Sequence, residues 1–174
     1  MSKYKNQSIY NVELLYNKIL LISRNKIFYT KFELNDTFQN RINLIFLHIS
    51  FLIVKQKKKD KNLLYKQFCQ KMFDYVFEKI ELNMREIGFG DVTINKNMKF
   101  LVKSFYDILL FCENYKNKNT QGKNHFLSKY LTMNNDKKPS DIHLLIRYID
   151  RYQAFCFDLS QDSVLRCDLN FIIE

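Results

Sequence analysis

The sequence predicts a single all-α domain of about six helices, and three observations carry the prediction. Apolar residues recur at helical spacing over long segments, so one face after another is built for a core. The chain has only three glycines and one proline, so turns are few and elements are long, which argues against a many-stranded sandwich or barrel. At 174 residues with 47% hydrophobic content, it is the size of one domain that can bury a real core.

The first helix is expected from about Ser8 to Asn25, with Val12, Leu15, Ile19 and Ile22 on one side. A non-periodic connection follows, and its aromatics, Phe28, Tyr29 and Phe32, are expected to anchor it to the core. Asn35 and Asp36 offer side-chain oxygens that could cap a second helix. That helix is apolar almost all round from Ile42 to Val54. Such a helix either lies at the centre of the core or touches a membrane or partner, and it is too short to span a bilayer.

The third helix should run from about Asn62 to Ile87, striped by Leu64, Phe68, Met72, Val76, Ile80, Met84 and Ile87. It ends at Gly88, a residue that can adopt the left-handed conformation closing a helix C-terminus. The fourth starts near Thr93 to Asn95, with Ile94, Met98, Leu101, Phe105, Ile108 and Cys112 as the cleanest stripe in the chain. NYKNKNTQGKN, Asn114 to Asn124, reads as a polar loop without a core face. A short helix from Phe126 to Met133 is expected next. After a break, Pro139 and Ser140 stand near the start of a last long helix carrying Ile142, Leu145, Ile149, Tyr152, Cys156 and Leu159. The tail from Asp162 is expected to pack back on the body. No repeat or linker divides residues 1–174.

The net charge is +10. It suits an anionic partner such as RNA, a ribosome or a lipid surface. It also suits the heavy Lys, Asn, Ile and Phe usage of an A+T-rich genome, and the sequence leaves both open. The basic stretch Lys55 to Lys61 reads as a solvated loop or as an rRNA or anionic-lipid contact. Cys69, Cys112, Cys156 and Cys167 lie far apart, without zinc spacing, and are expected to be buried free thiols. The N-terminus shows neither an apolar secretion segment nor Arg-rich transit character. The expected setting is the bacterial cytoplasm.

Little points to catalysis. A nucleophile–base–orienter set or a metal constellation is missing from the pattern, so no enzyme activity, metal or cofactor is expected. His48, inside the apolar second helix, is a hydrogen-bonded core or partner-facing residue. His125 and His143 read as surface residues. The Gly88–Phe89–Gly90–Asp91 turn lacks the GxxxxGK[ST] phosphate loop. A helix stop, with Asp91 capping the next helix, accounts for its glycines. It does not account for Arg85, Glu86, Asp91, Lys96 and Lys99 crowding one corner. Arg85 and Asp91 could pair across the turn, or some of the five could face a partner.

Two blocks resemble the ubiquinol–cytochrome c chaperone family, assembly factors for cytochrome b of the respiratory bc1 complex. DTFQNRINLIFLHISFLI, Asp36 to Ile53, carries the family-like Thr37, Phe38, Arg41, Leu47 and His48. The second block resembles Arg-Glu-x-Gly-x-Gly-Asp followed by Val-x-Lys. It places Arg85, Glu86, Gly88, Gly90, Asp91 and Lys96 on matching positions, with Ile94 for the Val and with Met98, Lys99, Phe105 and Tyr106 following. Asp107–Ile108 stands where the family often has Gly-Arg. The resemblance runs from about Phe28 to Tyr106 and weakens over the last third.

It implies a helical, non-enzymatic chaperone that holds newly made cytochrome b, or another bc1 subunit, before assembly. In mitochondria such factors work with a small partner protein and near the ribosomal exit. The client surface it implies joins Arg41, His48, Arg85, Glu86, Asp91, Lys96 and Lys99. Peripheral contact with anionic membrane at the cytoplasmic face of the inner membrane is a further expectation, and specific DNA binding is not expected. The rival is a basic helical RNA- or ribosome-binding module, which would show salt-sensitive RNA affinity and no preference for apolar peptides.

Overall fold

A helix that is apolar on every side has only one stable place in a soluble bundle, the middle. The computed structural model describes residues 2–57, 63–133 and 141–173, with side chains described for 11–54, 63–133 and 142–173. Eight α-helices lie among them: α1 (Ser2–Ser23), α2 (Ile27–Thr30), α3 (Phe38–Lys57), α4 (Leu63–Glu86), α5 (Asp91–Glu113), α6 (Thr120–Tyr130), α7 (Asp141–Asp158) and α8 (Gln161–Leu165). Two of them, α2 and α8, are single turns, so the body is six longer helices. There is no β-strand among the described residues, only an isolated bridge between Leu34 and Met133.

Helix α3 packs against α1, α5 and α7, and every residue from Ile42 to Leu52 is buried. The core settles the earlier alternative: α3 is central and does not present an apolar side to a membrane or partner. Phe46 meets Phe77 and Phe105, and Phe51 meets Tyr115. Helices α3 and α5 therefore run in the same direction, and α4 returns antiparallel beside α5.

Several local expectations are corrected. The cap of α3 is Thr37, whose Oγ1 accepts the Asn40 N–H at 3.2 Å. Asp36 instead pairs with Arg41 through both carboxylate oxygens, each at 2.6 Å. The aromatic connection contains the one-turn helix α2, and its Phe28 and Phe32 are buried as expected. The polar segment after α5 does have a core residue. Tyr115 is fully buried, and its hydroxyl donates to Asp150, which also accepts from Lys123. Helix α6 starts earlier than its apolar content suggests, because Asn119 caps it by accepting the Gly122 N–H. Ile87 is exposed rather than part of the α4 core stripe. The expected helix start at Pro139–Ser140 and the basic stretch beyond Lys57 lie outside the described residues.

The tail packs back as expected. Val164, Cys167 and Leu169 are buried, and Asn11 and Lys18 of α1 donate to the carbonyls of Leu165 and Cys167. All four cysteines are free thiols, and burial pushes Cys69 up to about 11. Among the described residues, no helix is long and apolar enough to cross a membrane.

Two buried asparagines tie α3 to a segment ninety residues away. The Asn40 amide donates to the carbonyls of Asn35 (2.7 Å) and Thr132 (2.8 Å) and accepts the Thr132 N–H (2.9 Å). Asn43 donates to the Tyr130 carbonyl at 2.6 Å. Asn40→Ala should leave buried backbone groups without partners and destabilise the protein by about 3 kcal/mol. Urea denaturation of the variant against the parent chain measures this, and a loss below about 0.5 kcal/mol would show that water replaces the amide.

Candidate functional site

The corner between α4 and α5 is built first by backbone geometry. The Gly88 N–H donates to the Arg85 carbonyl and the Phe89 N–H to the Met84 carbonyl, each at 3.0 Å. These are the paired bonds of a Schellman stop, and they require the residue after the helix to turn left-handed. Gly88 has φ +96°. Gly90 has φ −74° and heads α5 without a side-chain cap. Asp91 is therefore not the cap expected from the sequence. It is the first residue of α5, where its charge complements the positive end of the helix.

Arg85 then braces the turn. Its guanidinium donates to Glu81 on its own helix (2.8 and 3.1 Å) and to Asp91 on the next (2.7 Å). All three side chains are at least two-fifths exposed, so the ion pairs add little stability singly. Their effect is orientational, because they fix the angle at which α5 leaves the turn. Glu86, Lys96 and Lys99 are exposed and make no ion pair among the described residues. Because α5 begins at Asp91 rather than near Thr93, Lys96 lies in its second turn. The helix dipole fades within the first turn, so it neither favours nor opposes a lysine there.

The corner overhangs the bundle. With Phe46 level with Phe105, α5 begins roughly 9 Å beyond the start of α3. Every residue from Arg85 to Thr93 is exposed. Three of them are large and apolar: Ile87 at 62%, Phe89 at 40% and Val92 at 85%. A sequence reading drawn to the charges passes over them. Their signal is nonetheless present, since Val92 sits on the outward side of α5, opposite the stripe of Ile94, Leu101 and Phe105.

The remaining predicted residues are not brought to this corner. Arg41 is exposed at the start of α3, held by Asp36, whose carboxyl it keeps below the usual range through their hydrogen bond. His48 is 1% exposed. Its Nδ1–H donates to the Leu44 carbonyl (2.6 Å), and its Nε2 accepts the Tyr148 hydroxyl (2.7 Å). These partners set the tautomer, with Phe28 and Tyr152 packed edge-on around the ring. His48 thus joins α3 to α7 and is not at the surface. His125 and His143 are exposed. No group of three or more His, Cys, Asp or Glu side chains among the described residues is placed to hold a metal. At Asp107, where the family pattern departs, the carboxylate accepts the Tyr130 hydroxyl at 2.7 Å and fastens α6 to α5.

Two outcomes test this geometry. Gly88→Val should destabilise by more than about 1 kcal/mol, since a β-branched residue is poorly tolerated at positive φ. Gly90→Ala should melt like the parent, because its φ is ordinary and its Cβ would meet open space. Thermal melts of the two variants compare them directly.

Burial lowers the His48 pKa to about 4, against about 6.5 in the unfolded chain. The unfolded state therefore binds the extra proton first as pH falls. The stability due to neutral His48 is full above pH ~6.5 and is lost progressively down to pH ~4, by about 3 kcal/mol. Denaturant titrations across this window should show the loss in the parent chain and a flatter profile in His48→Gln.

Comparison with known proteins fits this architecture. The Brucella abortus Cbp3 homolog, known from a crystal structure, has the same fold, with a TM-score of 0.80 and 22% identity, covering 99% of this chain and 94% of that one. The mouse ubiquinol-cytochrome c reductase complex assembly factor 1 is 20% identical over 138 residues, which are 79% of this chain and 46% of the mouse protein. The chain thus spans about half the length of that curated relative. The model of the ubiquinol-cytochrome C chaperone family matches residues 30–171, and so takes in the last third, where the motif resemblance fades. With that match running through the corner and on through α7, the chain belongs to the ubiquinol-cytochrome C chaperone family.

Proposed function

We propose that this protein is a non-catalytic assembly chaperone for the cytochrome bc1 complex, binding newly made cytochrome b at the overhanging α4–α5 corner. The observation that carries the reading is the family match over residues 30–171. The corner adds a physical reason to place the client there. Ile87, Phe89 and Val92 offer apolar contact beside Glu86, Lys96 and Lys99, while Arg85 and Asp91 hold the surface in shape. A client that must later leave for its complex suits such a mixed, shallow surface better than a deep apolar pocket. Arg41 can belong to the same surface only if the client reaches from the corner to the start of α3. The rival, a basic RNA- or ribosome-binding module, rests on net charge and the basic stretch Lys55 to Lys61.

The test separates fold from function. Lys96→Ala, Lys99→Ala and Ile87→Ser each change an exposed residue, so their melting should match the parent within about 0.5 kcal/mol. In the source organism each should lower the bc1 content of membranes severalfold at normal chaperone level. Normal bc1 content in all three strains would remove the corner from client binding. Salt-sensitive RNA binding that persists beside normal bc1 content would favour the rival.

A further inference from the structure

Helix α5 should be amphipathic in the ordinary sense, apolar inside and polar outside, but its outward side is not uniformly polar. Val92, Lys96, Lys99, Lys103, Tyr106 and Leu110 follow one another at spacings of three and four residues and form one stripe. All six are exposed, and Phe100, 56% exposed, flanks them. The stripe is about 27 Å long. Its only charges are three lysines, none of them ion-paired among the described residues. Asp107, beside it, is engaged by Tyr130. Asp91, which precedes Val92 on the same helix, is exposed but paired with Arg85, and Glu113, past Leu110, is half-buried; the exposed Asp74 and Glu78 and the half-buried Glu81 lie on α4.

We propose that this outer face of α5 is a docking surface for an anionic phospholipid bilayer, with the helix axis lying in the plane of the membrane. The arrangement of the lysines favours lipid over protein. Protein interfaces gather apolar residues at the centre and are depleted in lysine. Here the lysines run down the middle of the stripe between apolar side chains. At a bilayer surface this is a favourable pattern. The ammonium groups snorkel to the phosphates while Val92, Phe100, Tyr106 and Leu110 enter the headgroup boundary. A convex helix also meets a flat surface without needing a groove. Aliphatic Val92 and Leu110 would contribute nothing to stacking on nucleic-acid bases. The face shares Lys96 and Lys99 with the corner, but the inference needs no client, and its test contains none.

The experiment is co-sedimentation of the full chain with vesicles of phosphatidylcholine alone or mixed equally with phosphatidylglycerol. The parent should bind the mixed vesicles, stay off phosphatidylcholine, and be released by added salt. Lys96→Gln, Lys99→Gln and Lys103→Gln together should weaken binding on the order of a hundredfold. Lys26→Gln, Lys31→Gln and Lys66→Gln, which remove the same charge from exposed sites elsewhere, should leave it within a few-fold. Phe100→Ser with Leu110→Ser should also weaken binding at unchanged charge, with circular dichroism confirming the fold of each variant. A parent chain that stays off the mixed vesicles overturns the inference. So does equal loss in the two lysine sets, or full binding by the apolar variant, since either assigns adsorption to net charge. Because the vesicles hold no protein, such a failure leaves the chaperone reading standing.

Discussion

The structure depends on surrounding α3 completely. A helix buried on all sides gains apolar burial on every face, but its polar side chains then have no water to fall back on. Asn40, Asn43 and His48 are such residues, and each is answered by a specific group: the backbone at Tyr130 and Thr132, and the hydroxyl of Tyr148. An unanswered polar group at these depths would cost about 1–3 kcal/mol. The bundle therefore has little freedom in how α6 and α7 sit on α3. Register between elements about ninety to a hundred residues apart is set by three buried polar side chains of α3, whereas the Ser50 hydroxyl, also on α3 and fully buried, finds no hydrogen-bond partner among the described residues.

This explains what was legible in the sequence. The helices could be read because each presents a continuous stripe, whereas the all-round apolarity of α3 allowed either a central place or a membrane or partner contact, and only the burial of Ile42 to Leu52 decides between them. The turn at Gly88 was legible because a glycine directly after a long apolar stripe marks a left-handed helix stop; Gly90, with its ordinary φ, adds nothing to that stop. The clamp at Thr132 was not. Nothing local marks Tyr130 to Met133 as bonded to Asn40 and Asn43, since the partners are backbone groups that every residue possesses. Tyr115 was missed for a related reason. Its surroundings are polar, and its burial depends on Asp150 and Lys123, which are distant in sequence. Asp91 and Ile87 were misplaced because a difference of one residue at the stop of α4, or of a few at the start of α5, moves a residue from one role to another.

The candidate site divides the same way. Resemblance and charge clustering pointed to seven residues, but the fold sorts them. His48 is a core bond, and Arg41 belongs to an ion pair with Asp36 at the start of α3. Arg85 and Asp91 brace the turn. Glu86, Lys96 and Lys99 alone combine exposure with no ion-pair partner among the described residues. The apolar neighbours that give them a surface to act on, Ile87, Phe89 and Val92, drew no notice in the sequence because exposed apolar residues singly are ordinary. Only the structure shows that they sit on one overhang.

That overhang is cheap for the fold to keep and for the surface to vary. Every residue of the α4–α5 turn from Arg85 to Thr93 is exposed, so its side chains contribute little to the core and its shape rests on a Schellman stop and Arg85. A recognition surface placed there can change its apolar and charged residues without disturbing the clamp around α3. It can also yield to a client or surface without opening the bundle, because the bonds that fix the turn are local to it. The division is a physical one. Stability is concentrated where polar groups are buried and answered, and the surface proposed for recognition is where apolar groups are exposed and unanswered.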